Sequence, residues 1–263
     1  MPKQYLADTG YCIVAFSDDD TYYNCAVTLA KSLKHYHPDA KVCLITNIDC
    51  DVDAVFDFCR KADDLGGFNN DTWVYRLSPF HETIKLEADM LVAGPIDHWW
   101  TYLRNFEVWV STGCRNFKGE VATSRYYRKI FDHNNLPDVY NAITYFKVSK
   151  TAVLFFRQTE HLMRNWSSVQ KSLVSGSGHP MNTDLIYAIA IRMLGEEKFT
   201  SLAGPSIVHM KPKINDLPSY EWTNDLIWEI DNGNLRINGH SQGGLFHYQL
   251  KHLAKEFGEC YVC

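Results

Sequence analysis

The sequence predicts an α/β chain with a mostly parallel central sheet flanked by helices, and three observations carry that expectation. An apolar run at residues 11–16 (Tyr-Cys-Ile-Val-Ala-Phe) stops at an acidic turn, and a helical stripe of Ala26, Leu29, Ala30 and Leu33 follows it. Pro38 closes that helix, because proline cannot continue the N–H ladder, and residues 41–46 (Lys-Val-Cys-Leu-Ile-Thr) make a second buried run. Strand, helix and strand in that order give a parallel pair with a right-handed crossover, whose ligands sit beyond the carboxyl ends of the strands. Later apolar strands alternate with helical patterns, which extends the same architecture.

The remaining elements follow by the same reasoning. Residues 65–71 read as a loop, since Gly66 and Gly67 interrupt any period. Residues 83–92 (Thr-Ile-Lys-Leu-Glu-Ala-Asp-Met-Leu-Val) read as one strand, ended by Gly94 and Pro95. Side chains alternate faces along a strand, so Ile84, Leu86, Ala88 and Met90 are expected on the buried face and Lys85, Glu87 and Asp89 on the other. Residues 107–112 alternate as a further strand, and residues 140–146 form another, opened by Asn141. Helical spacing recurs at 151–166 and 182–194, the second after the flexible run at 176–180. Two short apolar runs then end in histidines, His209 and His247, and no internal repeat is visible.

A chain of 263 residues buries a substantial core and is read as one domain, 1–263. Hydrophobic residues at 46% and charged residues at 22% argue against long disordered segments. Twenty-six basic against thirty-one acidic side chains give a net charge of −5, which excludes a molecule that binds polyanions over its whole surface and leaves only a local basic site. The first residues lack a basic-then-apolar leader and no apolar run is long enough to cross a bilayer, so no membrane association and a cytoplasmic location are expected. The eight cysteines are scattered, several of them (Cys12, Cys25, Cys43) inside apolar patterns, and are expected to be reduced core residues. Cys260 and Cys263 are spaced like zinc ligands but have no second pair.

The chemistry concentrates in two places. Glu87 and Asp89 on one strand face present two hard oxygen ligands, which suit Mg²⁺ or Mn²⁺ and, through it, a diphosphate; a solvated charged face is the plainer alternative. Residues 115–129 carry Arg115, Lys118, Arg125, Arg128 and Lys129 against only Glu120, interleaved with Phe117, Tyr126 and Tyr127. Such a mixture fits a nucleic-acid surface, with cations on phosphates and a ring against a base, and it fits a solvated basic helix as well.

Five segments stand in a telling order: the turn Ser17-Asp18-Asp19-Asp20-Thr21-Tyr22 with Ala26 and Ser32; Leu86-Glu87-Ala88-Asp89-Met90; Asn141-Ala142-Ile143; Asn182-Thr183-Asp184; and His247 with Lys251. Together they resemble the nucleotide-sugar glycosyltransferases of the GT-A fold, the family that holds glycogenin and the bacterial lipopolysaccharide galactosyltransferases. The resemblance implies a Rossmann-like domain that binds a UDP-sugar donor with Mn²⁺ or Mg²⁺, with a nucleotide-sugar half at about 1–112 and an acceptor half at about 113–263. By the same resemblance Ser17, Asp18, Asp19 and Tyr22 hold the nucleoside, Glu87, Asp89 and His247 the metal, and Lys251 a phosphate. Asn141 and Asp184 touch the sugar or the acceptor hydroxyl, and the anomeric configuration is retained. Arg76, upstream of the metal strand, is a second phosphate candidate.

Departures from the family pattern are plain. Glu87 stands where the family has aspartate, and its extra methylene moves the carboxylate by about 1.5 Å. Ala142 and Ile143 lack the family's glycine, and His209 in His209-Met-Lys211-Pro212 competes with His247, which the chain spacing favours. Residues 83–90, 134–141 and 244–248 also resemble glycosyltransferases of large tailed phages, which decorate hydroxymethylated cytosine. That resemblance implies a DNA acceptor held by Arg115, Lys118, Arg125, Tyr126, Arg128 and Lys129; a glycan or lipopolysaccharide acceptor is the alternative. Two other classes stay open: a nucleotidyltransferase, which usually shows a glycine-rich phosphate loop that is missing here, and a non-catalytic homologue, which Glu87 favours.

Overall fold

The computed structural model describes residues 5–16, 18–49, 54–122, 128–195, 199–201 and 204–261. Strand β1 (Ala7–Ala15) feeds helix α1 (Thr21–Tyr36), and β2 (Val42–Thr46) and β3 (Phe58–Lys61) complete the first parallel unit. Helix α2 (Trp73–Leu77) leads to β4 (Phe80–Glu87) and β5 (Met90–Val92), followed by α3 (Trp99–Leu103), β6 (Val108–Thr112), β7 (Cys114–Arg115) and β8 (Val121–Ala122). The second half runs α4 (Lys129–His133), β9 (Val139–Lys147), α5 (Lys150–Arg164), α6 (Trp166–Ser172), α7 (Thr183–Leu194), β10 (Ile207–His209) and α8 (Pro212–Asn215). It ends in β11 (Trp228–Asp231), β12 (Asn234–Ile237), β13 (His240–Ser241), β14 (Leu245–His247) and α9 (Ala254–Glu259).

Among the described residues the main sheet has six strands in the order β3-β2-β1-β4-β9-β6, with β9 antiparallel to both neighbours and the rest parallel. A second sheet, β5-β14-β10-β7-β8, and a small antiparallel sheet, β11-β12-β13, stand beside it. One apolar cluster gathers α1, α9 and the second sheet, and another gathers α5 and α7, so the main sheet is covered on both faces. Helix ends are set locally: the Ser149 hydroxyl accepts from the Ala152 N–H at the start of α5, and the Asn182 side chain accepts from the Leu185 N–H at the start of α7. Gly10 in β1 is required by packing, since a Cβ there would fall 2.3 Å from the Phe80 ring.

Three readings of the sequence need correction. Residues 83–92 are two strands in two sheets, with the chain bending at Ala88 and Asp89; β4 lies between β1 and β9, so even Lys85 is only 1% exposed and no solvated charged face exists. Residues Gly67–Thr72 form a 3₁₀ turn, closed by the Asn70 side chain, which accepts from the Leu65 N–H and donates to Asp64. Cys59 is disulfide-bonded, whereas Cys12, Cys25, Cys43 and Cys114 are buried free thiols; scattered spacing carries no pairing signal. Among the described residues, no helix is long and apolar enough to cross a membrane.

Candidate active site

The bend after β4 creates the site. Glu87 closes β4, and β5 pairs antiparallel with β14 so that Met90 faces His247, which sets the imidazole beside Asp89. His247 Nε2 lies 3.1 Å from Asp89 Oδ1, and its Nδ1 lies 3.6 Å from Glu87 Oε2. The chain then turns through Gln249, with positive φ, to bring Lys251 Nζ within 3.3 Å of Asp89 Oδ2 and 5.0 Å above the Tyr22 ring in the first turn of α1. Strand β10 pairs in register with β14, so His209 sits opposite His247 and the two rings stack at 4.5 Å.

Burial and neighbouring charge divide the titrating groups. Burial raises the Glu87 pKa, and Lys85 and His247 oppose it only in part. Burial also acts to raise Asp89, but His247 and Lys251 outweigh it and hold that carboxyl below the usual range. Burial pulls His247 down, and Asp89 and Glu87 more than reverse the effect. His209 is driven well below the ordinary histidine value by burial and then by His247, so its imidazole is neutral.

Glu87, Asp89 and His247 offer one ligand atom each within 4.8 Å of one another. Ligands on a divalent cation with bonds of about 2.1 Å stand about 3.0 Å apart when adjacent and about 4.2 Å apart when opposite, so this set would close in as an ion binds. Two carboxylate oxygens and one imidazole nitrogen are the donor chemistry such a cation takes, and the residues fit it.

Two cavities flank the cluster and share Phe68, Glu87, Thr183, His247 and Gln249 as a common wall. One, of about 470 Å³, opens where β1 and β4 end and is lined by Tyr22, Asp64, Asp71, Lys85, Asp89 and Lys251. The other, of about 590 Å³, is lined by Arg128, Lys129, Tyr140, Asp184, His209 and Lys211. A buried network joins their floors. Lys85 Nζ reaches Asp71 at 3.3 Å and donates to the Asn141 carbonyl at 3.2 Å, while the Asn141 side-chain amide donates to Asp71 at 3.0 Å. The Asn141 N–H donates to Asp184 Oδ1 at 2.8 Å, and Arg128 meets Asp184 Oδ2 at 3.4 Å and Asp138 at 3.1 Å.

Of the residues singled out in the sequence, the structure brings together Tyr22, Glu87, Asp89, Asp184, His247 and Lys251, with Asn141 fully buried beneath them. The Asn141 side chain is engaged at both ends, its amide donating to Asp71 and its Oδ1 accepting from the Thr144 hydroxyl at 2.5 Å. Asp18 and Asp19 are exposed and line neither cavity; Asp19 accepts from the Thr21 N–H at the helix start. Ser17, Arg125 and Tyr126 lie outside the described residues.

Arg76 is not at the site: its guanidinium meets both Glu160 oxygens at 2.6 Å, since α2 packs against α5. Nor is the basic stretch one surface. Arg115 donates to the Gly119 carbonyl and Lys118 lies over the Phe117 ring, whereas Arg128 turns inward between Phe131 and Tyr140 with only 9% of its side chain exposed. Sequence reasoning missed Asp71 and the partnership of Lys85, and met Lys211 only as the neighbour of His209. The one available signal was a lysine within an apolar strand, which must find an anion when the strand is central.

No protein-family model and no curated protein matches the chain. Solved structures do. The glycosyltransferase GlyE from Streptococcus pneumoniae TIGR4 superposes with a TM-score of 0.52 at 12% identity over 95% of this chain and 61% of GlyE, so the chain spans about three fifths of that protein. The galactosyltransferase LgtC, solved with donor and acceptor sugar analogues, matches with a TM-score of 0.52 at 10% identity over 98% of this chain and 97% of its own. Mouse xyloside xylosyltransferase 1 matches at 0.50 with 8% identity, over 92% and 97%. At these identities the likeness is one of architecture: the fold is the GT-A fold of glycosyltransferases.

Proposed function

We propose that the chain is a metal-dependent glycosyltransferase that moves a sugar from a UDP-sugar to a hydroxyl acceptor. The observation that carries this reading is the Glu87–Asp89–His247 cluster set between two cavities on a GT-A fold. Mn²⁺ or Mg²⁺ held by those three residues would supply Lewis-acid stabilisation of the charge that grows on the diphosphate as it leaves. Lys251, beside Asp89, adds a positive charge for the phosphates, and Tyr22 offers a half-exposed ring for the base. Asp184 is clamped by Arg128 and the Asn141 N–H at the edge of the second cavity, where it orients the acceptor hydroxyl or the sugar. Asn141 acts through Asp71 and Asp184 and is a positioning residue. In the transfer the anomeric carbon's bond to the diphosphate breaks and its bond to the acceptor oxygen forms; the electron pair leaves on the diphosphate and the hydroxyl proton is released.

A saccharide hydroxyl suits the second cavity better than hydroxymethylcytosine in DNA. The DNA reading relied on residues 115–129 as a surface, and Arg128 is committed to two carboxylates inside. The test is acceptor-free hydrolysis: the purified chain with Mn²⁺ and a panel of nucleotide sugars should release UDP from a UDP-sugar, and chelation should stop it. No nucleotide released from any donor, with the cation bound, would overturn the reading in favour of a binding protein.

A further inference from the structure

We propose that Asp71, held in place by Lys85, reads a ring hydroxyl of the donor sugar, so that the donor carries a neutral hexose or pentose and not a uronic acid; this rests on the glycosyltransferase reading above. Asp71 belongs to the 3₁₀ turn Gly67–Thr72 and lines the Tyr22-side cavity with 15% of its side chain open. One of its oxygens is committed and the other is not. Oδ2 receives Lys85 Nζ at 3.3 Å and the Asn141 side-chain amide at 3.0 Å, whereas Oδ1 has no hydrogen-bond partner among the described residues. Among those residues the polar side-chain atoms sealed away without a partner are Trp109 Nε1, Tyr145 Oη, His209 Nδ1 and Tyr248 Oη; Asp71 Oδ1 is not one of them, so it meets the cavity. An ionised carboxylate oxygen only accepts, and a sugar hydroxyl is the donor that suits it.

The surroundings hold that oxygen still. The Asn70 side chain ties the turn to Leu65 and Asp64, and the Trp73 indole N–H donates to the Asp63 carbonyl at 3.0 Å. Asn141 carries the support across the wall between the cavities, since its side chain grips Asp71 while its N–H grips Asp184 on the other side. A sugar that leaves a diphosphate at Glu87, Asp89 and His247 for an acceptor on the Asp184 side passes over Asn141, within reach of Asp71. Charge then sets the class of sugar. Lys85 is committed to Asp71 and the Asn141 carbonyl, and Lys251, beside Asp89, is placed for the phosphates. A uronic acid would therefore bring its carboxylate against Asp71 and Glu87 with no cation to receive it. A central strand gains little stability from a buried lysine over an apolar side chain; what Lys85 does is fix a carboxylate that keeps one oxygen open.

Donor kinetics on the whole chain with Mn²⁺ test this. The donors are UDP-glucose, UDP-galactose, UDP-xylose and UDP-N-acetylglucosamine, then UDP-glucuronic and UDP-galacturonic acids, then the monodeoxy analogues of whichever works best. The best neutral donor should exceed both uronic acids by about tenfold or more in kcat/KM, and one monodeoxy analogue should lose about 10- to 100-fold against its parent. Asp71→Asn should lose about as much on the parent donor and little more on that analogue, because the two changes delete one and the same contact. The substitution also leaves the buried Lys85 without its anion, so melting is followed alongside; the deoxy series on the unaltered protein decides the matter even if the variant does not fold. A uronic acid as best donor, equal use of every deoxy analogue, or losses that simply multiply in the folded variant overturns the proposal. Turnover with a flat deoxy series strikes Asp71 alone, whereas no UDP from any donor strikes the glycosyltransferase reading and this proposal with it.

Discussion

The two cavities that meet at Glu87 and His247 are built in opposite ways. The one on the Tyr22 side is built on the ends of the neighbouring parallel strands β1 and β4 and the helix that follows the first of them, with Asp71 of the 3₁₀ turn and the distant Lys251 completing it. The Arg128 side is assembled from segments far apart in the chain: the stretch before α4, the start of α7 and the end of β10. The difference teaches that a strand-end site is a property of the fold, whereas the facing cavity is a property of this particular chain. The family motifs reach both cavities, through Tyr22, Asp89 and Lys251 on the first side and through Asn141 and Asp184 on the second.

Four experiments break or sharpen that contrast. Asp89→Asn removes the carboxylate charge that both His247 and Lys251 pair with, so metal-dependent UDP release should fall by about 10²–10³-fold or more. A loss under about tenfold would mean that the strand-end side is not the donor site. Arg128→Met removes the guanidinium that Asp138 and Asp184 share; with those carboxylates partly solvated, the loss should be about 2 kcal/mol, read as a melting point several degrees lower. An unchanged melting point would return Arg128 to the solvent surface.

The third experiment uses pH. Without metal, His247 and Glu87 both hold their protons more tightly folded than unfolded, so their contributions to stability are complete at low pH and fade as pH rises through the raised values. Asp89, held low by His247 and Lys251, works the other way, and its contribution is lost only in acid. The metal-free protein should therefore melt a few degrees lower at about pH 8 than at about pH 6, and Mn²⁺ should shrink that difference because it binds the deprotonated ligands. A metal-free melting point that climbs over that range would contradict the assignment. Smallest of all, Arg76→Ala should change the KM for the donor by no more than about twofold and stability by about 1 kcal/mol or less, since Arg76 is half-exposed and Glu160 keeps its pairing with Arg164.

Much of the main sheet was legible. The β1-α1-β2 unit follows from apolar runs and Pro38, and the carboxylate pair with a downstream histidine lands in one place. Between His209 and His247 the sequence had only spacing to go on, and in-register pairing of β10 with β14 puts one against the carboxylates and the other behind it. The break at Ala88 was not legible, because a strand that changes sheets stays apolar on both sides of the bend and alternation does not record the change. The arginines were misread for a related reason. Whether a guanidinium faces water or a carboxylate depends on partners such as Glu160 and Asp184, which only tertiary packing brings near.

The bend at Ala88 and Asp89 has a mechanical consequence. Glu87 ends β4 in one sheet and His247 ends β14 in the other, so a cation gripped by both would rivet the two layers at a point beside the chain crossings at Ala88 and Gly113. Amide exchange along β10 and β14 should then slow when Mn²⁺ is added, while β2 and β3, at the far edge of the first layer, keep their own rate.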